Sequence, residues 1–144
     1  MRHESLLGKI NEINSSSSSY ISKRLKEENF PLLRNHLPLF FILPHNGEMM
    51  QFNEIASNWN ISKSSLSDVL AKYEELGFIK KSQCDSDKRI TNIGLTQEAY
   101  PILDKLKKIG TDLINILLSD FETEDREIFE TYINKVISNI DKAL

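Results

Sequence analysis

Apolar residues recur along most of this chain at three- and four-residue intervals, the spacing of one face of an α-helix. The first stripe is Leu6, Ile10, Ile13, Tyr20, Ile21 and Leu25, and a run of serines, 15–19, cuts across it. A serine run also reads as a flexible linker. The two apolar halves stay in phase across it, which favours one continuous helix, with a linker as the alternative. Pro31 closes the segment. Residues 37–43 read as a short buried helix, with Pro38 tolerable only in its first turn. Asn46-Gly47 is a turn signal. Phe52, Ile55, Ala56 and Trp59 stand at helical spacing and mark a helix over 51–58, which Asn60-Ile61-Ser62 interrupts.

A second helix then starts cleanly. Ser62 is a good N-cap, able to accept from the backbone N–H of Ser65. Ile61 and Leu66 are placed as a hydrophobic staple. Leu66, Val69, Leu70, Tyr73 and Leu76 carry the stripe, and Gly77 supplies the stop. Two short helices joined by a tight turn, 51–58 and 63–76, have the shape of a helix-turn-helix. The period then changes. Residues 78–81 and 91–95 read as two short strands around a charged tip at 85–88, which predicts a β-hairpin. Thr96 is placed to cap the next helix, with Leu95 and Tyr100 as a second staple. Pro101 is expected to weaken or bend its first turns. Ala99, Leu103, Leu106, Ile109, Leu113, Ile116 and Leu117 mark that long helix. Phe129, Ile133, Val136, Ile140 and Leu144 mark another, started by Thr123 with Glu124 and Asp125 at the positive end of its dipole.

Composition adds bounds. The 144 residues are 40% hydrophobic and 27% charged, ordinary for a globular chain. One Cys excludes a disulfide framework and a Cys-based structural zinc site. The start of the chain is charged and has no apolar core of a secretory signal, and the apolar stretch 37–44 is too short to span a bilayer. A cytoplasmic location, with no membrane partner, is the expectation. The Asn-x-Ser matches at Asn14 and Asn60 then carry no glycan, because glycosylation needs secretion. The net charge of −3 at first argues against a nucleic-acid partner. Divided by segment, it does not. Residues 1–61 hold six basic and six acidic side chains, 62–97 six and five, and 98–144 six and ten. The surplus of acid lies in the C-terminal third, and the helix-turn-helix and hairpin are slightly positive.

Two short helices followed by a basic-tipped hairpin make a winged helix-turn-helix, whose second helix reads the major groove of DNA. At about 100° per residue, with Leu66 facing the core, Ser64, Asp68, Ala71 and Glu75 face outward. Ser65 and Lys72 flank that face on one side and Ser67 on the other. Lys63 in the first turn is long enough to reach a phosphate. Serines bond base edges or phosphates, Ala71 suits a thymine methyl, and Asp68 can accept from cytosine N4. The plain alternative for this face is a solvated helix surface.

Three stretches resemble the multiple-antibiotic-resistance regulator (MarR) family. They are Ile61-Ser62-Lys63-Ser64-Ser65-Leu66-Ser67, Tyr73-Glu74-Glu75-Leu76-Gly77-Phe78-Ile79, and Asp87-Lys88-Arg89 ahead of Leu95-Thr96. They are similar to the family's Leu-Ser-x-Ser-Thr-Val-Ser run, its Leu-Glu-x-x-Gly-Leu-Val helix end, and its Asp-x-Arg wing before Leu-Thr. The resemblance implies a mainly α fold with a small β-hairpin wing: a winged helix-turn-helix (31–97) flanked by N-terminal (1–30) and C-terminal (98–144) dimerisation helices. It implies a homodimer, in line with apolar stripes too long for the compact middle to cover. Intramolecular packing of those stripes is the alternative. It also implies that Arg89 enters the minor groove, where arginine is favoured electrostatically, with Lys88 beside it and Asp87 bracing the wing. The chain departs from the family at Asp68, where a basic residue is common, and in a less basic wing.

The expected function is a sequence-specific DNA-binding transcriptional regulator, a ligand- or signal-responsive repressor acting as a homodimer on a pseudo-palindromic double-stranded operator. The DNA-binding residues are expected at Lys63, Ser64, Ser65, Ser67, Asp68, Lys72, Lys88 and Arg89. The alternative is a winged-helix module that binds protein, using Asp68 and Glu75. No phosphate loop, nucleophile motif or catalytic pair is present, so no enzyme activity and no cofactor are expected. His3, His36 and His45 lack the close spacing of a helical metal site. Cys84 reads as an inert strand cysteine, its thiolate favoured by Lys80 and Lys81 and opposed by Asp85. Phe40, Phe41, Trp59, Met49 and Met50 are candidates for a small-molecule effector pocket, although most read as core.

Overall fold

The computed structural model describes residues 5–144. The charged start of the chain, including His3, lies outside the described residues. The chain forms two compact units, Met1–Ile109 and Gly110–Leu144.

The first unit opens with α1 (Leu6–Glu27), which runs unbroken through the serines. Serine is a mediocre helix former, so the segment holds by its ends. Ser5 caps it, accepting from the Gly8 N–H at 3.1 Å. Tyr20, Ile21 and Leu25 anchor its other half on the core. Asn29 adopts the left-handed conformation (φ 48°) that closes the helix before Pro31. The apolar residues of the first half, Leu6, Ile10 and Ile13, stay exposed.

A single 3-10 turn, Arg34–His36, leads into α2 (Leu37–Ile42), with Pro38 in its first turn as expected. α3 (Phe52–Trp59) ends on Asn60 in the left-handed conformation (φ 55°), and α4 (Lys63–Glu75) follows. Ser62 accepts from the Ser65 N–H at 3.2 Å, the expected cap. The wing is longer than the apolar pattern indicated: β2 is Ile79–Gln83 and β3 is Thr91–Leu95. A two-residue strand, β1 (Met50–Gln51), was not expected. It pairs antiparallel with β3, Met50 opposite Ile93, making a sheet of order β1-β3-β2. Gly94 packs closely there: a Cβ would lie 3.0 Å from Met49 Cγ, so the Met49 side chain would have to give way.

Leu39, Phe40, Ile55, Leu66, Leu70, Tyr73 and Ile93 form the fully buried centre, and Ala99, Leu103, Leu106 and Ile109 of α5 (Ala99–Leu117) join the same core. Pro101 sits in the first turn of α5, where a missing N–H breaks no helical bond, and the helix continues past it. The second unit holds the end of α5 and α6 (Thr123–Asp141). Arg126 Nη2 donates to the Leu118 carbonyl at 2.8 Å, closing the turn between the two helices. Among the described residues, no helix is long and apolar enough to cross a membrane.

Candidate nucleic-acid interface

Two structural features set the wing against α4. Gly77, at φ 83°, makes the turn out of the helix. Thr96 Oγ1 then donates to the Gly77 carbonyl at 2.5 Å. Thr96 was expected to cap α5 with its side chain; its hydroxyl instead locks the base of the wing to the end of α4, and only its carbonyl serves the next helix, accepting from the Ala99 N–H at 3.2 Å. Lys81 adds an ion pair from β2 to Glu74 of α4, at 3.6 Å.

On α4, Lys63, Ser64, Ser65, Ser67, Asp68 and Ala71 are all exposed on one side, while Leu66, Val69, Leu70 and Tyr73 are buried on the other. Ser62 Oγ donates to Ser65 Oγ at 2.8 Å, so the capping serine organises its neighbour as well. Asp68 has no ion pair among the described residues. Lys72 is half-exposed, and its ammonium lies over the Tyr73 ring, 5.7 Å from the centroid.

At the wing tip, Lys88 and Arg89 are exposed. Asp87 holds Arg89 in a two-point grip, Nε to Oδ1 and Nη2 to Oδ2, each 3.0 Å, and its Oδ1 also accepts the Arg89 backbone N–H at 3.0 Å. These bonds hold the Asp87 carboxyl below the usual carboxylate range and the guanidinium above its own. The tip is thereby an oriented cation rather than a loose one. Cys84 lies just beyond β2. Its thiol is lowered first by the Ser86 hydroxyl, with Sγ to Oγ at 3.1 Å, and not by the lysines expected to do so; Asp85 opposes, as anticipated.

A small cleft of about 80 Å³ separates the start of α3 from the tip end of β3, lined by Gln51, Phe52, Asn53, Arg89, Ile90 and Thr91. Nothing in the apolar pattern indicated it. It exists because β1 holds Gln51 opposite Asn92 of β3. The proposed effector residues do not assemble. Phe40 is fully buried against Tyr73, with ring centroids at 5.0 Å, whereas Phe41 is 64% exposed. No group of three or more His, Cys, Asp or Glu that could hold a metal is found among the described residues.

Tyr73 ties α4 to the turn after α1. Its hydroxyl accepts the Leu33 N–H at 3.1 Å and lies 2.9 Å from His36 Nδ1. With the Leu33 bond made, the phenolic proton is available to a neutral His36. Burial first, then the charge of Lys72, holds His36 below its ordinary value. The folded state therefore resists a proton that the unfolded chain binds near pH 6.5. That stability is complete above the unfolded value and is lost as pH falls through the lower folded value. The melting temperature should fall between about pH 7 and about pH 5, and less steeply in a His36→Gln variant, which has no imidazole to protonate. A Tyr73→Phe variant should lose about 1 kcal/mol of stability through the unmade Leu33 bond. A pH profile identical in the parent and the His36→Gln variant would refute this role for His36.

Residues 34–91 match the model of the MarR family. YwoH of Bacillus subtilis (strain 168), an uncharacterised HTH-type transcriptional regulator, is 31% identical over 125 residues, covering 83% of this chain and 87% of that protein. A MarR transcriptional regulator from Methanosarcina mazei Go1 shares the fold with a TM-score of 0.78 at 19% identity, over 99% of this chain and 94% of that one. The S. aureus MepR–DNA complex does so with a TM-score of 0.72 at 18% identity, over 95% and 99%.

Proposed function

The chain belongs to the MarR family of transcriptional regulators, and from that premise we propose that it is a homodimeric repressor that binds a pseudo-palindromic DNA operator and releases it on a signal. The observation that carries the reading is the pairing of a hydroxyl-rich outer face on α4 with an oriented Arg89 on the wing, in one locked unit. Lys63, Ser64, Ser65, Ser67 and Asp68 enter the major groove, and Lys88 and Arg89 meet the neighbouring minor groove. Lys72 contributes to the charge of the face from its seat over Tyr73. MepR, which shares this fold, is seen in complex with DNA.

Dimerisation is supported by α6. At about 100° per residue, Phe129, Tyr132, Ile133, Val136, Ile137 and Ile140 share one broad face, and all are exposed. A soluble chain rarely leaves an apolar face of that size open. A second copy covers it symmetrically.

Signal response is supported by the turn that holds Tyr73. An open groove is lined by Asn14, Ser15, Ser18, Ser19 and Ser22 of α1 and by Arg34. A polar small molecule seated there acts on α4 through Leu33 and His36, the neighbours of Arg34 that bond Tyr73. The signal changes the spacing of the two reading heads.

Selection of bound duplexes from a random pool, with the mass of the complex measured alongside, tests the reading. The expected result is an enriched inverted repeat with half-site centres about 10 base pairs apart, bound by two chains. A monomer that enriches no sequence would overturn it.

A further inference from the structure

We propose that the cleft between the start of α3 and the tip end of β3 seats one phosphate of the DNA backbone, held by Asn53, Gln51 and Thr91. The inference rests on the DNA-binding reading above and adds a contact outside α4 and the wing tip.

The lining is two side-chain amides, a hydroxyl and a guanidinium, with Phe52 and Ile90 as walls and no carboxylate. The Gln51, Asn53 and Thr91 side chains make no hydrogen bond among the described residues, and Gln51 precedes α3 without capping it by its side chain. Arg89 gives Nε and Nη2 to Asp87, so Nη1 is not used in that grip. The site thus has several donors, one positive wall and no carboxylate in its lining. That is the composition which bonds a phosphodiester oxygen.

Position favours the same ligand. The cleft opens beside Arg89, whose side chain is 90% exposed at the wing tip, and it includes the start of the first helix of the helix-turn-helix, the element that crosses the DNA backbone. The β1–β3 pairing fixes the spacing, with Gln51 opposite Asn92 and Thr91 held opposite Gln83 in the same sheet. The two sides of the cleft therefore move as one body. A phosphate gripped between them sets the angle at which α4 enters the groove.

Asn53→Asp separates a phosphate contact from a structural role. An acid in the first turn of a helix favours folding, yet in the cleft it repels a phosphate. Thr91→Val keeps a strand-favouring shape and removes only the hydroxyl. Each variant should melt no lower than the parent. Each should bind the selected operator and an unrelated duplex more weakly by a similar factor, about tenfold for the carboxylate. Single methylphosphonate substitutions along the operator should then reveal one phosphate whose neutralisation weakens the parent but hardly affects Asn53→Asp, the signature of a coupled pair. Undiminished binding by both variants, or methylphosphonate penalties equal in parent and variants at every position, would overturn the proposal. A parent that binds neither duplex defeats the DNA-binding reading itself, and the phosphate seat with it, before any variant is compared.

Discussion

Replacing Lys63 and Arg89 together by alanine should lower operator affinity by at least about a hundredfold while leaving the melting temperature nearly unchanged. Both side chains are exposed, and substitutions at such positions shift stability by about 0.5 kcal/mol or less. Their expected work is on DNA. Lys63 stands in the first turn of α4, and Arg89 is aimed from the wing by Asp87. A dimer loses four cations in the double variant, so the slope of log affinity against log salt should flatten by about 3 to 4. The loss should be larger on the operator than on unrelated DNA, because a minor-groove arginine reads groove shape as well as charge. Filter binding or fluorescence anisotropy at several salt concentrations measures both quantities. Full operator affinity in the double variant would remove Lys63 and Arg89 from the interface.

The second large effect is expected on α6. Ile133→Glu combined with Ile140→Glu places two carboxylates in the middle of the exposed apolar face of α6. In the separate chain these residues are 42% and 55% exposed, so the substitutions bury no charge within one copy. In a dimer they place unpaired carboxylates in an apolar interface, which is costly. The variant should sediment as a monomer with its helical content retained. Operator affinity should then fall by about a hundredfold to ten-thousandfold, because the second half-site is no longer bound as a tethered event. A variant that stays dimeric would show that α6 is not the dimer face. A monomeric variant with unchanged operator affinity would show that one reading head is sufficient.

Much of the candidate interface was legible because its determinants are local. Ser62 as a cap, Leu66 and its partners as the buried stripe, and Gly77 as the stop all act within a few residues of one another. Helical periodicity therefore told the outer face of α4 from its inner face without any tertiary information. The Asp87-Lys88-Arg89 run was legible for the same reason: the bond between Asp87 and Arg89 spans two residues. The serine run of α1 shows where local reading stops. Its propensity left helix and linker both open, and burial of Tyr20, Ile21 and Leu25 decided for the helix.

Thr96 was misread by the same limit. A threonine before a helix is a normal cap, but its hydroxyl found the Gly77 carbonyl, 19 residues back. Helical angle put Lys72 on an outward flank of α4 but gave no sign that its ammonium would lie over the Tyr73 ring. Phe40, Phe41, Trp59, Met49 and Met50 were left open between core and effector pocket because apolar composition does not say which side of a helix meets the core. Phe40 and its neighbour Phe41 point to opposite environments on α2.

By itself, then, the sequence determined the helices, the helix-turn-helix, the hairpin and the two faces of α4, since each depends on periodicity and capping within a turn or two. It also located the excess acid in the C-terminal third, away from the reading head. Only the tertiary structure decided how those parts are fastened. The strand β1 is two residues long and has no pattern until β3 lies beside it. Tyr73 is a core aromatic in the sequence, and becomes a tether only when Leu33, 40 residues earlier, reaches its hydroxyl. The cleft of Gln51, Asn53 and Thr91 likewise joins two distant stretches of chain. Such features depend on contacts whose partners are far apart along the backbone, and no local rule encodes which of the many possible partners the folded core brings into reach.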